Sequence, residues 1–387
     1  MSTAKAQREL PNRLDTPSPD VRGKPTVGST ISPKGRSRRL KKNKQGDSNF
    51  APRNTILQYL DYHQLDVPVV ILSLLYLADR LGFAFAKPFL TLSYPVGEGK
   101  YTRGEDDVFL AFSFLLLITA ARAATMRFIL TPLARFCGVR RKVKMDRFAE
   151  QAWIVIWATF SLTYGLFLMK DAPYQNDSSQ FWKGYPHRDL QPSFKLYYVM
   201  QAAFWSAQIV VLNIEKPRKD YTEMLIHHLV TISLISLSYT MNLTRVGHMI
   251  LCITDLSDIF LSFAKCMRYS GCTTSCDVVF GIFVLSWIYS RFYLLGCVIY
   301  SVVFEARTYL KIGWSPATGH YLTENNIWIF VVLLNCLMAL MIFWFALIIK
   351  VIIRVLGGVG AEDNRSDDED EGDDADTNEA TQNGKED

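Results

Sequence analysis

Charge is almost missing from long stretches in the middle of this 387-residue chain. That absence excludes an ordinary soluble domain, because no water-exposed fold needs so many apolar runs near twenty residues long. Cysteine is sparse: there are seven, at positions 137, 252, 266, 272, 276, 297 and 336. None falls in a segment expected to face an oxidising compartment, so no disulfide framework is expected. No cleavable leader is expected, because roughly the first sixty residues are polar and rich in proline, and the first membrane span is then expected to act as the targeting signal. No convincing internal repeat is present.

What is present is an apolar middle between two polar tails. Hydrophobic residues make up 49% of the chain, and its net charge of +5 hides an asymmetry. The first tail is basic, with Lys34, Arg36, Arg38, Arg39, Lys41, Lys42 and Lys44. The last is acidic, around Asp367, Asp368, Glu369, Asp370, Glu371, Asp373 and Asp374. Neither has apolar periodicity, and both are expected to be disordered. The basic cluster is read first as a topology signal, and second as a segment that lies on anionic headgroups.

Eight stretches are candidate spans: 67–85, 108–126, 153–169, 195–212, 224–241, 246–267, 278–304 and 327–356. The first is the weakest, since it carries Asp79 and Arg80. The expected fold class is therefore all-α, a polytopic bundle of about eight transmembrane helices. Short loops rich in lysine and arginine stay in the cytosol. This puts Arg140, Arg141, Lys142, Lys144 and Arg147 on that side, together with Lys216, Arg218 and Lys219, and leaves both termini cytosolic. The triplet Asn176-Asp177-Ser178 then lies on the opposite side as a glycosylation acceptor. Glycan at Asn176 would support this topology, and modification at Asn364 would overturn it.

Ionisable groups inside a bilayer are costly and persist mainly where they do something. His227 and His228 lie near the start of the fifth stretch, and Asp255 and Asp258 lie within the sixth. At about 1.5 Å per residue the histidines sit roughly 8–10 Å from the cytosolic side, Asp258 about 15 Å and Asp255 about 20 Å. The short link between the two stretches makes them antiparallel neighbours. The aspartates, three apart, share one helix face, whereas the adjacent histidines are about 100° apart on theirs. A histidine near a carboxylate suits proton removal from an amine or hydroxyl that attacks an acyl carbonyl, and the imidazole can equally serve as the nucleophile through an acyl-imidazole. The sequence does not choose between them. Arg291, in the seventh stretch, is a third intramembrane charge; it either pairs with an aspartate or holds a substrate phosphate or carbonyl.

Competing readings are weaker. Polar groups in membrane helices also serve as interhelical glue. The spacing matches no standard metal motif, so no metal is expected. Cys252 reads as a small core residue rather than a nucleophile, and His63, His187, His248 and His320 read as structural. Histidines beneath a basic loop (Lys216, Arg218, Lys219) suit a donor with a phosphate-rich head and an apolar tail, as in acyl-CoA.

The stretch 215–221, EKPRKDY, followed by His227-His228-Leu229-Val230-Thr231 and Thr254-Asp255-Leu256-Ser257-Asp258, resembles the signature of the ceramide synthases, the longevity-assurance family with the TLC domain. The wording is most similar to the fungal branch and covers roughly 140–356. It implies a tail (1–55), an N-terminal membrane region (56–139), a TLC-domain helical bundle (140–356) and an acidic tail (357–387). It also implies acyl transfer from acyl-CoA to sphinganine or phytosphingosine in the endoplasmic reticulum, with acyl-CoA as substrate and no cofactor. His227, His228, Asp255 and Asp258 match the family's essential positions, and Arg291 aligns with a family arginine. The implied assembly includes a second synthase subunit and a small single-span partner, and no nucleic acid. Where the animal branch has a histidine just before the first aspartate, this chain has Thr254, and the animal homeobox-like insert is absent. If that animal histidine carries the acyl group, this chain must use His227 or His228, or skip the covalent step. Ser366, followed by acidic residues, resembles an acidophilic-kinase acceptor. The alternatives from other classes are a non-catalytic lipid-regulatory TLC protein and a proton-coupled lipid transporter. Retention of both histidines and both aspartates argues against the first, and the lack of a repeat against the second.

Overall fold

A computed structural model describes Tyr59 and residues 62–214 and 219–357. Both tails lie largely or wholly outside the described residues, as do Lys216, Arg218, Asn364 and Ser366. Eight long helices follow the eight apolar stretches. They are α1 (Asp66–Arg80), α2 (Asp107–Phe136), α3 (Lys142–Met169), α4 (Pro192–Ile214), α5 (Tyr221–Thr240), α6 (Thr244–Tyr269), α7 (Thr273–Tyr309) and α8 (Glu324–Leu356). Five of them, α2, α3, α6, α7 and α8, are long and apolar enough to cross a membrane. The chain is a multi-pass membrane protein. By contrast, α1 has only 15 residues. Helices α4 and α5 dilute their apolar residues with Tyr197, Tyr198, Gln201, His227 and His228, all of them buried.

The helices alternate in direction, giving the bundle two ends. Arg122, late in α2, bonds Gln64 just before α1 at 3.0 Å, and so marks the first end. The second end carries two small antiparallel hairpins, β1 (Pro95–Gly97) with β2 (Lys100–Tyr101) and β3 (Gly313–Ser315) with β4 (His320–Leu322). A buried ion pair ties this end together. Lys195 of α4 lies 2.7 Å from Asp107 of α2 and donates to the carbonyls of Ser93 and Thr102 at 2.7 Å each. Asp107 also accepts from Tyr239 of α5 at 2.8 Å. Each charge therefore has several partners, which buried charges require.

The α5–α6 link is three residues long and turns at Asn242, whose φ is 59°. Asparagine tolerates this left-handed conformation. Its side chain accepts from Arg103 and donates to the Gly319 carbonyl, so both hairpin regions grip the link. Helix α6 lies between α3, α5 and α7. Its approach to α3 is close because Gly165 lacks a Cβ, which would meet Cys252 Sγ and Tyr197 Oη. The same contact uses His248, fully buried, with Nδ1 2.8 Å from Tyr174 Oη and Nε2 3.1 Å from the Gly165 carbonyl.

Helix α7 is not uniform. It contains π-helical turns at Ile288–Leu294 and Ser301–Glu305. Such turns insert a residue into the repeat and rotate the face that follows. The first of them carries Ser290 and Arg291, both buried.

Candidate active site

His227 and His228 of α5, Asp255 and Asp258 of α6 and Arg291 of α7 all line one cavity of about 350 Å³. That size lies at the small end of the range for ligand sites. The cavity runs to the first end of the bundle, where its lining includes Arg122, Lys265, Arg268, Lys350 and Arg354 against Glu150 and Asp220. Lys219 is exposed and lies one residue from Asp220.

The two imidazoles form a pair with ring centroids 5.5 Å apart. Trp205 of α4 meets both rings edge-on, at 5.5 Å and 5.7 Å, and Trp344 of α8 meets His227 at 5.3 Å. Adjacent positions on a helix diverge, yet both rings reach the same cavity because it wraps around this face of α5. Nδ1 of each ring is buried without a hydrogen-bond partner, whereas Nε2 of each is not closed off in this way.

The two aspartates share a helix face but not an environment. Asp255 is 7% exposed and accepts from the hydroxyl of Ser161 at 2.5 Å. Asp258 keeps 31% of its side chain accessible and pairs with Arg291 Nη2 at 2.7 Å. Arg291 also donates to the Thr254 carbonyl at 2.7 Å and to Ser257 Oγ at 2.9 Å, and lies over the Trp287 ring at 5.1 Å. Its donors are thus largely committed to α6. Among the described residues, neither imidazole hydrogen-bonds a carboxylate. Several supports of the site had no signal in the sequence: Ser161 beside Asp255, and Trp205 and Trp344 beside the imidazoles, are ordinary residues of apolar stretches and come from distant parts of the chain.

A second, smaller chamber of about 50 Å³ begins at the same place. His227 and Trp205 line both spaces. The chamber is bounded by apolar side chains, from Thr231 and Leu234 near the histidines to Val302, Ala306, Leu310, Leu322 and Ile327 toward the second end. Thr254 also lines it, with its hydroxyl turned back onto the carbonyls of Ile250 and Leu251. On one side of the imidazoles the larger cavity opens to a mouth with basic residues, and on the other the chamber is apolar.

The remaining sequence-selected residues lie apart. Asn176 is exposed in the 170–191 connection at the second end. His187, in the same connection, is pushed down to about 4 by burial, so it stays neutral and structural. All seven cysteines are free. Among the described residues, no group of three or more His, Cys, Asp or Glu side chains converges as a metal site would require.

The sequence profile of the family described as the TLC domain matches residues 147–350. A sphingosine N-acyltransferase-like protein of Alternaria alternata is 40% identical over 305 residues, covering 71% of this chain and 70% of that protein. A sphingosine N-acyltransferase of Schizosaccharomyces pombe is 38% identical over 292 residues, 75% of each chain. A ceramide synthase of Saccharomyces cerevisiae is 32% identical over 287 residues, covering 72% of this chain and 69% of that protein.

Proposed function

The chain belongs to the TLC-domain ceramide synthase family, and from that premise we propose that it transfers a fatty acyl group from acyl-CoA to the amine of a sphingoid base. One observation carries the reading at the level of this site. Two buried imidazoles stand where a larger cavity with a basic mouth meets an apolar chamber. An acyl-CoA has the same division, with phosphates at one end, an alkyl chain at the other and the thioester between. The basic rim suits the phosphates, since arginine and lysine form charge-assisted bonds to them. The apolar chamber suits the first part of the alkyl chain, which would displace side chains to extend further.

In the reaction the sphingoid nitrogen attacks the thioester carbonyl, a C–N bond forms and the C–S bond breaks. The nitrogen loses a proton and the CoA sulfur gains one. An imidazole at the junction either takes the proton from nitrogen and returns it to sulfur, or first accepts the acyl group and passes it to the amine. We assign His227 and His228 this work, with Asp255 and Asp258 supporting the charge that develops. We also assign the enzyme to the endoplasmic reticulum with both termini cytosolic. The first described helix begins, and the last ends, at the same end of the bundle, which agrees with an even number of crossings.

The test is direct. Membranes carrying the full-length protein with whatever subunits assemble with it, given acyl-CoA and sphinganine, are expected to release CoA and form the N-acyl product in equal amounts. Absence of product with a range of acyl lengths would refute the reading.

A further expectation concerns chain length. Ala306 and Leu310 lie at the far part of the apolar chamber. Ala306→Leu is expected to shift the product profile toward shorter acyl chains, at an overpacking cost of about 1–3 kcal/mol. Leu310→Ala is expected to shift it the other way. Product analysis by mass spectrometry, with no shift in either variant, would remove the chamber from the acyl path.

A further inference from the structure

Asp255 is held by a chain of hydrogen bonds that the reaction as written does not use. Ser161 of α3 is fully buried, and its hydroxyl donates to Asp255 Oδ2. Gln201 of α4 is 1% exposed, and its amide nitrogen donates to Ser161 Oγ and, at 3.0 Å, to Tyr197 Oη. Tyr197 is fully buried and lies 3.9 Å from Cys252 Sγ, one turn before Asp255.

The direction of this chain is fixed by what each group can offer. When Asp255 is ionised it only accepts, so Ser161 donates to it. Ser161 then has only lone pairs left, so Gln201 must present its NH₂ rather than its carbonyl. The second N–H of that amide is used on Tyr197, whose own hydroxyl hydrogen is left for the cysteine sulfur. The Ser161 hydroxyl bonds Oδ2 of Asp255, and the carboxylate lines the larger cavity. Asp258 differs in the nature of its tie, which is to the Arg291 cation rather than to a neutral hydroxyl.

We propose that Ser161 and Gln201 are positioning residues that hold Asp255 by Oδ2 so that the carboxylate faces the substrate amine. The inference rests on the acyltransferase reading above. A fully satisfied buried network rigidifies the group it ends on, and correct placement of a reacting group is worth large factors in rate. The three side chains come from α3, α4 and α6, so their packing sets the carboxylate's angle.

Gln201→Glu separates positioning from packing. It keeps the shape of the side chain but turns a double donor into an acceptor, which draws the Ser161 hydrogen away from Asp255. Steady-state kinetics with acyl-CoA and sphinganine would be measured on membranes carrying full-length Ser161→Ala, Gln201→Glu or the double variant. Each single variant is expected to lose about tenfold to hundredfold in kcat with KM for acyl-CoA little changed. Because both act through one carboxylate, the double variant is expected to fall within about twofold of the worse single one. An enzyme whose wild type is active but whose single variants keep kcat, or whose losses multiply, overturns the inference alone. Loss of the folded protein in both single variants assigns the chain to folding and overturns it too. Wild-type protein that forms no ceramide overturns the acyltransferase reading and the inference with it.

Discussion

His227→Ala and His228→Ala are each expected to lower ceramide formation by about 10²–10⁴-fold, the range that positioned acid–base groups contribute. The expectation follows from where the rings sit rather than from their type. Both are buried among aromatic edges, both have an unpaired Nδ1, and both line the cavity that also holds the two aspartates. His→Ala also leaves a hole beside Trp205, so the measurement must be kcat per folded enzyme, with the amount of folded protein judged separately. His→Gln variants fill more of the hole and are expected to remain inactive. Near-normal turnover in both alanine variants would remove the pair from the chemistry. Mixing wild-type enzyme with acyl-CoA alone separates the two roles. A burst of free CoA matching the enzyme concentration indicates an acyl-imidazole, whereas none before amine is added indicates a general base.

Much of this arrangement was legible in the sequence, because apolar length and buried charge are local signals. The stretch 246–267 lies within α6, Thr244–Tyr269, and the short link after 241 correctly made α5 and α6 antiparallel neighbours. The ends were less legible. The second stretch stops at 126, yet α2 continues to Phe136 through a π-helical turn at Met126–Leu130. Pro132 does not end the helix, because proline is tolerated in the first turn of the helical segment that resumes there. Helix α3 begins at Lys142, eleven residues before the apolar run, because charged residues continue a helix beyond the membrane. The supports of the site were not legible at all. Ser161 is 94 residues from Asp255 in the chain, and a serine in an apolar helix carries no mark of its partner. The role of Arg291 was open between an aspartate and a substrate. The structure commits it to Asp258, through a π-helical turn that no periodicity in the sequence announces.

That commitment makes Arg291→Leu the other substitution with a large expected effect, this time on folding. Removing one member of a buried pair leaves an uncompensated charge and costs about 3–5 kcal/mol. Asp258 retains 31% accessibility toward the cavity, so the lower end of that range applies. The guanidinium also satisfies the Thr254 carbonyl and Ser257 Oγ, and its loss frees both. The steady-state level of folded protein is therefore expected to drop severalfold, since even about 1–2 kcal/mol changes abundance by that much. Thermal unfolding in detergent, followed alongside membrane abundance, reads the effect. The double variant Asp258→Leu, Arg291→Leu is expected to recover much of the level, because replacing both partners by apolar groups avoids the stranded charge. It is not expected to recover activity, because Asp258 lines the same cavity as the imidazoles. Recovery of both level and activity would reduce the Asp258–Arg291 pair to a structural tie and leave Asp255 as the carboxylate that serves the reaction. A single Arg291→Leu variant as abundant and as heat-stable as wild type would instead return the arginine to the substrate side of the site.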